Sequence, residues 1–277
     1  YFISPKGNYI AFCKTKAGSD RMPIQILDLG KNKILEDFIP PIRYSLLVWL
    51  QDESGFYYTK WPESGIDEEN SSHVYFHKRG TSTKGDKAIF GRGLAPSRFT
   101  DLYLTPNDRY LFISAWEGSS RTDVYLIDRN NLTVVQTICK DINAKFSILA
   151  NKNTIFVFTN LNAPNCKIMY FNGKNPLFWK ECIPEKKEVL ESFAVVGEKL
   201  ILKYVKNASH IFEIYSTSGE FVKEISLPEQ GTIDGPFSEW NGKEFFFLFS
   251  SFITPPQLYQ YKLTEEKMEC LAKEKST

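Results

Sequence analysis

The sequence predicts an all-β fold, specifically a β-propeller of four-stranded blades. Three observations predict it. First, aromatic residues make up 15% of the chain, with 22 Phe, 14 Tyr and 5 Trp. They fall in short bursts with β-branched residues, separated by Gly, Pro, Asn and Asp, which is how strands and turns are written. Second, these bursts recur in phase about every 45 residues, the repeat length of propellers. Third, no stretch longer than two turns carries helical periodicity.

The elements follow in order. One apolar strand recurs as Tyr9–Phe12, Phe56–Thr59, Tyr110–Ile113, Ile155–Phe158, Leu200–Lys203 and Phe245–Leu248, with steps of 47, 54, 45, 45 and 45 between first residues. Each follows a tight turn, such as Pro5-Lys6-Gly7, Glu53-Ser54-Gly55 or Pro106-Asn107-Asp108. Such residues either tolerate positive φ or bond their own backbone. A second strand recurs in phase: Ile24–Leu27, Val74–His77, Val124–Ile127, Ile168–Phe171, Phe212–Tyr215 and Leu258–Tyr261. A more polar strand follows most of these, as in Val134–Thr137 and Phe221–Glu224. A further apolar strand precedes each turn, as in Ser45–Trp49 and Phe146–Leu149. The expected units are approximately 1–41, 42–95, 96–142, 143–187, 188–231 and 232–277 of a single propeller domain. In the first unit, only residues 1–4 represent the inner strand. Inner strands should be apolar on both faces and outer strands should alternate. A β-sandwich is the competing all-β architecture, but it does not call for six in-phase units.

Composition narrows the function. Lys+Arg total 34 and Asp+Glu 33, for a net charge of +1. That balance speaks against a nucleic-acid binder. No apolar run approaches the roughly 18–20 residues of a membrane helix, so neither nucleic acid nor membrane is expected as a partner. Five scattered cysteines without a C-x-x-C pair suit a cytoplasmic protein with small apolar fillers better than a disulfide framework or a zinc site. Three glycosylation-type triplets, beginning at Asn70, Asn131 and Asn207, carry no weight in that setting. The chain starts Tyr-Phe-Ile-Ser-Pro, without Met or a signal-peptide pattern, and reads as part of something longer.

The residues for self-contained catalysis are not evident. There is no G-x-S-x-G nucleophile elbow, Walker sequence or dinucleotide loop. His73 and His77 lie four apart on a probable strand, about 13 Å at strand rise, too far to share one metal. With His210 they are expected to be surface or packed imidazoles. Asp67-Glu68-Glu69 reads as a solvated loop tip. No catalytic residue, metal or cofactor is expected in this chain.

Several blocks together resemble the non-catalytic propeller of the prolyl oligopeptidase family. They are Gly18-Ser19-Asp20, Ser45–Asp52 with Trp49, and Phe112–Gly118 after Pro106–Tyr110. Thr159-Asn160 with Pro164-Asn165, and Ser250-Ser251-Phe252 with Pro255, complete the set. The specificity lies in their joint order along the whole chain. The resemblance implies a cytosolic serine peptidase that cleaves short peptides after proline. Its α/β-hydrolase domain would carry the triad, and a seven-bladed propeller would cover it. This chain shows six units, the first one short, so closure of the ring is an open question. The implied partners are the α/β-hydrolase domain of the same polypeptide and proline-containing oligopeptides; the chain alone is expected to be inert. Tyr44, Phe99 and Ser119 match propeller positions that would line the pocket for the substrate residue two places before proline. Asp20 matches an acidic residue that would face an arginine of the hydrolase domain. The alternatives are strand-end packing for Tyr44 and Phe99, a plain loop role for Ser119, and a turn cap for Asp20.

Two rival functions remain. A stand-alone protein-binding propeller of the WD-repeat kind would repeat Gly-His and Trp-Asp strings, which do not occur here. A propeller enzyme acting on sugars or phosphates would need acidic residues at matching inner-strand ends, but only Asp52, Asp101 and Glu239 are scattered there. An incomplete ring would bare apolar faces, so self-association of the chain is expected.

Overall fold

The repeat produces one antiparallel sheet per unit. The structure is a computed structural model that describes residues 1–15, 18–43, 46–60, 72–95 and 98–273. Sheet 1 holds β1 (Phe2–Ile3), β2 (Tyr9–Cys13), β3 (Arg21–Asp28) and β4 (Lys33–Arg43). Sheet 2 holds β5 (Leu47–Trp49), β6 (Gly55–Lys60), β7 (His73–Lys78) and β8 (Lys87–Phe90). Sheet 3 holds β9 (Phe99–Leu104), β10 (Tyr110–Glu117), β11 (Arg121–Asp128) and β12 (Val135–Cys139). Sheet 4 holds β13 (Phe146–Asn151), β14 (Thr154–Thr159), β15 (Lys167–Asn172) and β16 (Lys180–Ile183). Sheet 5 holds β17 (Val189–Val196), β18 (Lys199–Lys206), β19 (Ser209–Ser216) and β20 (Phe221–Ile225). Sheet 6 holds β21 (Thr232–Phe237), β22 (Glu244–Ser250), β23 (Gln257–Lys262) and β24 (Lys267–Lys273). Within each sheet, strands pair with their neighbours in chain order. Residues 1–143 and 144–277 form two compact units of three sheets each.

Burial explains the register. The second strand of each sheet carries a fully buried side chain: Ala11, Phe56, Phe112, Phe156, Leu200, Phe245 and Phe247. The fourth strands are mostly open, as in β20, where only Ile225 is buried. Neighbouring sheets share their side chains. Sheet 2 lends Tyr57 and Val74 to a core with Leu111, Ile113 and Ala115 of sheet 3. Phe212 of sheet 5 meets Phe245 and Phe247 of sheet 6 edge to face, with ring centroids 5.3 Å apart in both pairs.

A bulge recurs where the third strand meets the fourth, at Val74/Tyr75, Val124/Tyr125, Ile168/Met169 and Leu258/Tyr259. An extra residue there bends the strand and increases its twist. Gly91, in the connection leaving sheet 2, has φ +122°; a Cβ there would come within 2.5 Å of the Ser72 carbonyl oxygen. Only glycine fits that passage.

Antiparallel order gives every sheet two distinct ends. The turn end carries the links between first and second and between third and fourth strands. The loop end carries the link between second and third strands and the connection to the next sheet. At the turn end, Gly7, Asp108, Lys152 and Gly197 all adopt positive φ, as the turn residues in the sequence require.

Candidate functional site at the loop end of the sheets

Asp20, Phe99 and Ser119, three of the residues expected to contact substrate or a second domain, occupy loop-end positions. Asp20 lies in the β2–β3 loop. Its Oδ2 is 2.9 Å from Nε of Arg43, with both side chains about half exposed. The register explains the pair, because Arg21 sits opposite Arg43 across β3 and β4. Asp20 therefore has an arginine partner inside its own sheet. Tyr44 lies outside the described residues, as does the Asp67-Glu68-Glu69 loop.

Phe99 opens β9 and Ser119 lies in the β10–β11 turn, so the fold brings both to the loop end of sheet 3. Phe99 faces Trp116 in register, and the two rings stack at 4.6 Å with a 19° interplanar angle. Ser119 is exposed, three residues beyond Trp116 and next to Gly118, whose φ is +60°. Asp101 follows on the same strand. Burial raises its carboxyl above the usual carboxylate range, and the Trp116 indole acts in the opposite direction.

A charge cluster beside this shelf escaped the sequence reading. Arg98 is 6% exposed. One guanidinium nitrogen is 3.4 Å from Oδ2 of Asp123 and the other 3.3 Å from Oε2 of Glu117. Asp123, almost fully buried, also accepts from the Asp141 backbone N–H at 3.0 Å and faces Nε of Arg121 at 3.5 Å. Arg121 is further paired with Asp141. Burying a guanidinium is costly unless charge partners and hydrogen bonds meet it, and here two carboxylates and the Ala115 carbonyl do so. The available signal was a charged residue immediately before an inner strand, with Arg-Thr-Asp opening β11.

His77 and His210 take the packed form of the two expected for the histidines. His77 is fully buried, not a surface imidazole. Its Nδ1 lies 3.0 Å from both carboxylate oxygens of Asp86, and its Nε2 lies 3.1 Å from Oδ1 of Asp37. Asp37 is on sheet 1, so the ring ties two sheets. His210 accepts the Ile233 N–H on Nδ1 at 2.7 Å and places Nε2 3.0 Å from Glu191. Burial pulls its pKa below the usual histidine value, against the pull of Glu191. Both rings thus have both nitrogens occupied by backbone or carboxylate, not by a hydroxyl or thiol awaiting a base. Burial pushes the Cys139 thiol up to about 12 and the Cys182 thiol up to about 11, which suppresses the thiolate needed for attack. Among the described residues, no group of three or more His, Cys, Asp or Glu could hold a metal. No helix there is long and apolar enough to cross a membrane. The loop end of sheet 3 thus presents an aromatic pair, an exposed hydroxyl and a guanidinium neutralised by two carboxylates.

Comparisons with known proteins fit this geometry. A prolyl endopeptidase of Elizabethkingia meningoseptica is 30% identical over 283 residues, which are 99% of this chain and 40% of that protein. A prolyl endopeptidase of Dictyostelium discoideum is 25% identical, covering 94% of this chain and 42% of that protein. This chain thus spans about two fifths of the length of the curated relatives it matches. A structure from work on inter-domain dynamics in two prolyl endopeptidases superposes with TM-score 0.92 at 26% identity, over 98% of this chain and 41% of that one. Prolyl oligopeptidase B of Galerina marginata, bound to a 25mer macrocyclization substrate, superposes with TM-score 0.87 at 19% identity, over 99% of this chain and 42% of that one, a likeness of fold. The six four-stranded sheets are therefore propeller blades. The sequence model of one family, described as "Prolyl oligopeptidase, N-terminal beta-propeller domain", matches residues 1–274, and the chain belongs to that family.

Proposed function

We propose that this chain is the substrate-gating and substrate-contact propeller of a proline-specific serine endopeptidase that cleaves short peptides, and that it is catalytically inert by itself. One observation carries the reading: the match to an N-terminal propeller domain runs through residues 1–274, while the chain spans only 40% of a prolyl endopeptidase. In this reading the remaining portion is an α/β-hydrolase domain that supplies the nucleophile and its base. The propeller limits what reaches that site. Excluding bulk water strengthens the site's electrostatic interactions, and opening between the two portions then limits turnover. Phe99 and Ser119, with Trp116 beside them, contact the peptide on the amino-terminal side of proline. The unpaired state of all five cysteines supports a cytoplasmic setting.

The test is an assay of the full gene product with a chromogenic proline amide. Cleavage after proline, with none by residues 1–277 alone, supports the reading. An inert full product turns the search to protein partners. In an active product, Phe99→Ala should raise KM for peptides extended on the amino-terminal side by about tenfold and leave the shortest substrate nearly unchanged.

A further inference from the structure

The β22–β23 loop combines rigidity with bare apolar surface. Phe252 is fully exposed and its neighbour Ile253 is 83% exposed. The loop beneath them is held firmly. Ser251 Oγ accepts from the backbone N–H groups of Ile253 and Thr254, at 3.2 and 3.0 Å. It donates to Oε1 of Glu229 at 2.8 Å, and Thr254 Oγ1 donates to the same oxygen. The Ser251 N–H closes the turn on the Thr254 carbonyl at 2.9 Å. These hydroxyls hold the Glu229 carboxyl below the usual carboxylate range. Pro255 and Pro256 follow and restrict the exit further. A mobile loop could fold its apolar side chains back, whereas this one is fastened with both facing water. Such preorganisation lowers the entropic cost of binding.

The position of the loop indicates the occupant. Gln257, the first residue after the loop, pairs with Lys273 of β24. The loop and the last described residue therefore sit at the same end of sheet 6. Since the match covers 40% of a relative, about 60% of that polypeptide lies outside the matched region.

We propose that Phe252 and Ile253 form an apolar tip that docks against the α/β-hydrolase portion of the same polypeptide, as a releasable latch between it and sheet 6. This rests on the peptidase reading for the identity of the partner. Two side chains are enough to bias closure and few enough to release on each turnover.

The experiment uses the full-length protein with a benzophenone amino acid at position 252. Irradiation should yield an intramolecular cross-link from position 252 to a residue outside 1–277, located by mass spectrometry. A cross-link only within 1–277, only to a second copy, or none at all overturns the proposal. Separately, F252S/I253S should speed proteolytic nicking between the two portions by about tenfold or more, while F252L/I253L should not. An unchanged rate in the serine variant also overturns it. Neither readout uses proline cleavage, so an inert protein that still cross-links sinks the peptidase reading and leaves the latch standing.

Discussion

The two ends of the sheets solve different problems. At the turn end, polar side chains cross from one sheet to the next and are mostly enclosed. Glu53 of sheet 2 accepts from Ser4 Oγ at 2.6 Å, the Lys6 N–H at 2.9 Å and Asn8 Nδ2 at 2.8 Å, all from sheet 1. Asp108 of sheet 3 accepts the Gln51 N–H at 2.9 Å, and Arg129 donates to the Tyr57 hydroxyl at 3.0 Å. Asn151 donates to the Gly197 carbonyl at 2.8 Å, joining sheets 4 and 5. At the loop end the ion pair of Asp20 and Arg43 is half exposed, and Ser119, Phe252 and Ile253 face water. Enclosed polar contacts also occur there: Ser72 and Thr100 share a buried hydrogen bond of 2.6 Å between sheets 2 and 3, Arg98 and Asp123 are buried within sheet 3, and His210 accepts from Ile233 between sheets 5 and 6. The difference teaches that one end stores stability and the other is left open for contact, the usual division between scaffold and functional loops.

The largest effect should come from the turn end. Glu53→Ala leaves three donors without an acceptor and should cost about 2–4 kcal/mol, read by chemical denaturation. A loss under about 1 kcal/mol would break the comparison. Acid should act in two stages. His210 has a lowered folded pKa, so its contribution is complete above 6.5, its ordinary value, and fades as pH falls through the folded value. Glu53 comes later. Burial pushes its carboxyl up, but bonds from Ser4, Asn8 and Lys6 win and leave it below 4.5. Its contribution is present above that pH and is lost on further acidification. Melts at pH 7.5, 5.5 and 4 should show both stages. H210N, which keeps an acceptor for the Ile233 N–H, should remove the first, and E53Q the second.

Smaller effects sharpen the contrast. Asn151→Ala should cost about 1 kcal/mol by loss of one neutral hydrogen bond. Asp20→Ala should change stability by less than about 0.5 kcal/mol, because a half-exposed pair gains little. A larger loss, measured by the same denaturation, would show that the loop end is also structural.

Much of the blade pattern could be read directly. The run Tyr110–Ile113 falls within β10, and Val124–Ile127 within β11. The turn at Pro106-Asn107-Asp108 places Asp108 at φ +57°. The site was only partly legible. Phe99 and Ser119 were identified by family likeness, and the structure brings them to one end of sheet 3. Asp20, which the family likeness sets against an arginine of a second domain, lies in the β2–β3 loop and pairs with Arg43 of its own sheet while staying half exposed. Arg98 and the His77 cluster were missed because a charged or imidazole side chain in a strand looks the same in sequence whether it is solvated or enclosed.

By itself, the sequence determined where strands lie and in what order, since side-chain alternation and turn chemistry act over a few residues, while their ends run further, as in β10 to Glu117 and β18 to Lys206. Tertiary structure decided which polar groups are buried and which apolar ones are not. Glu53 meets Ser4 across 49 positions and His77 meets Asp37 across 40; stacking one sheet on the next supplies those partners. Phe252 is the converse case. Its residue type points inward, but the hydroxyls of Ser251 and Thr254, tied to Glu229, hold the loop so that it faces out.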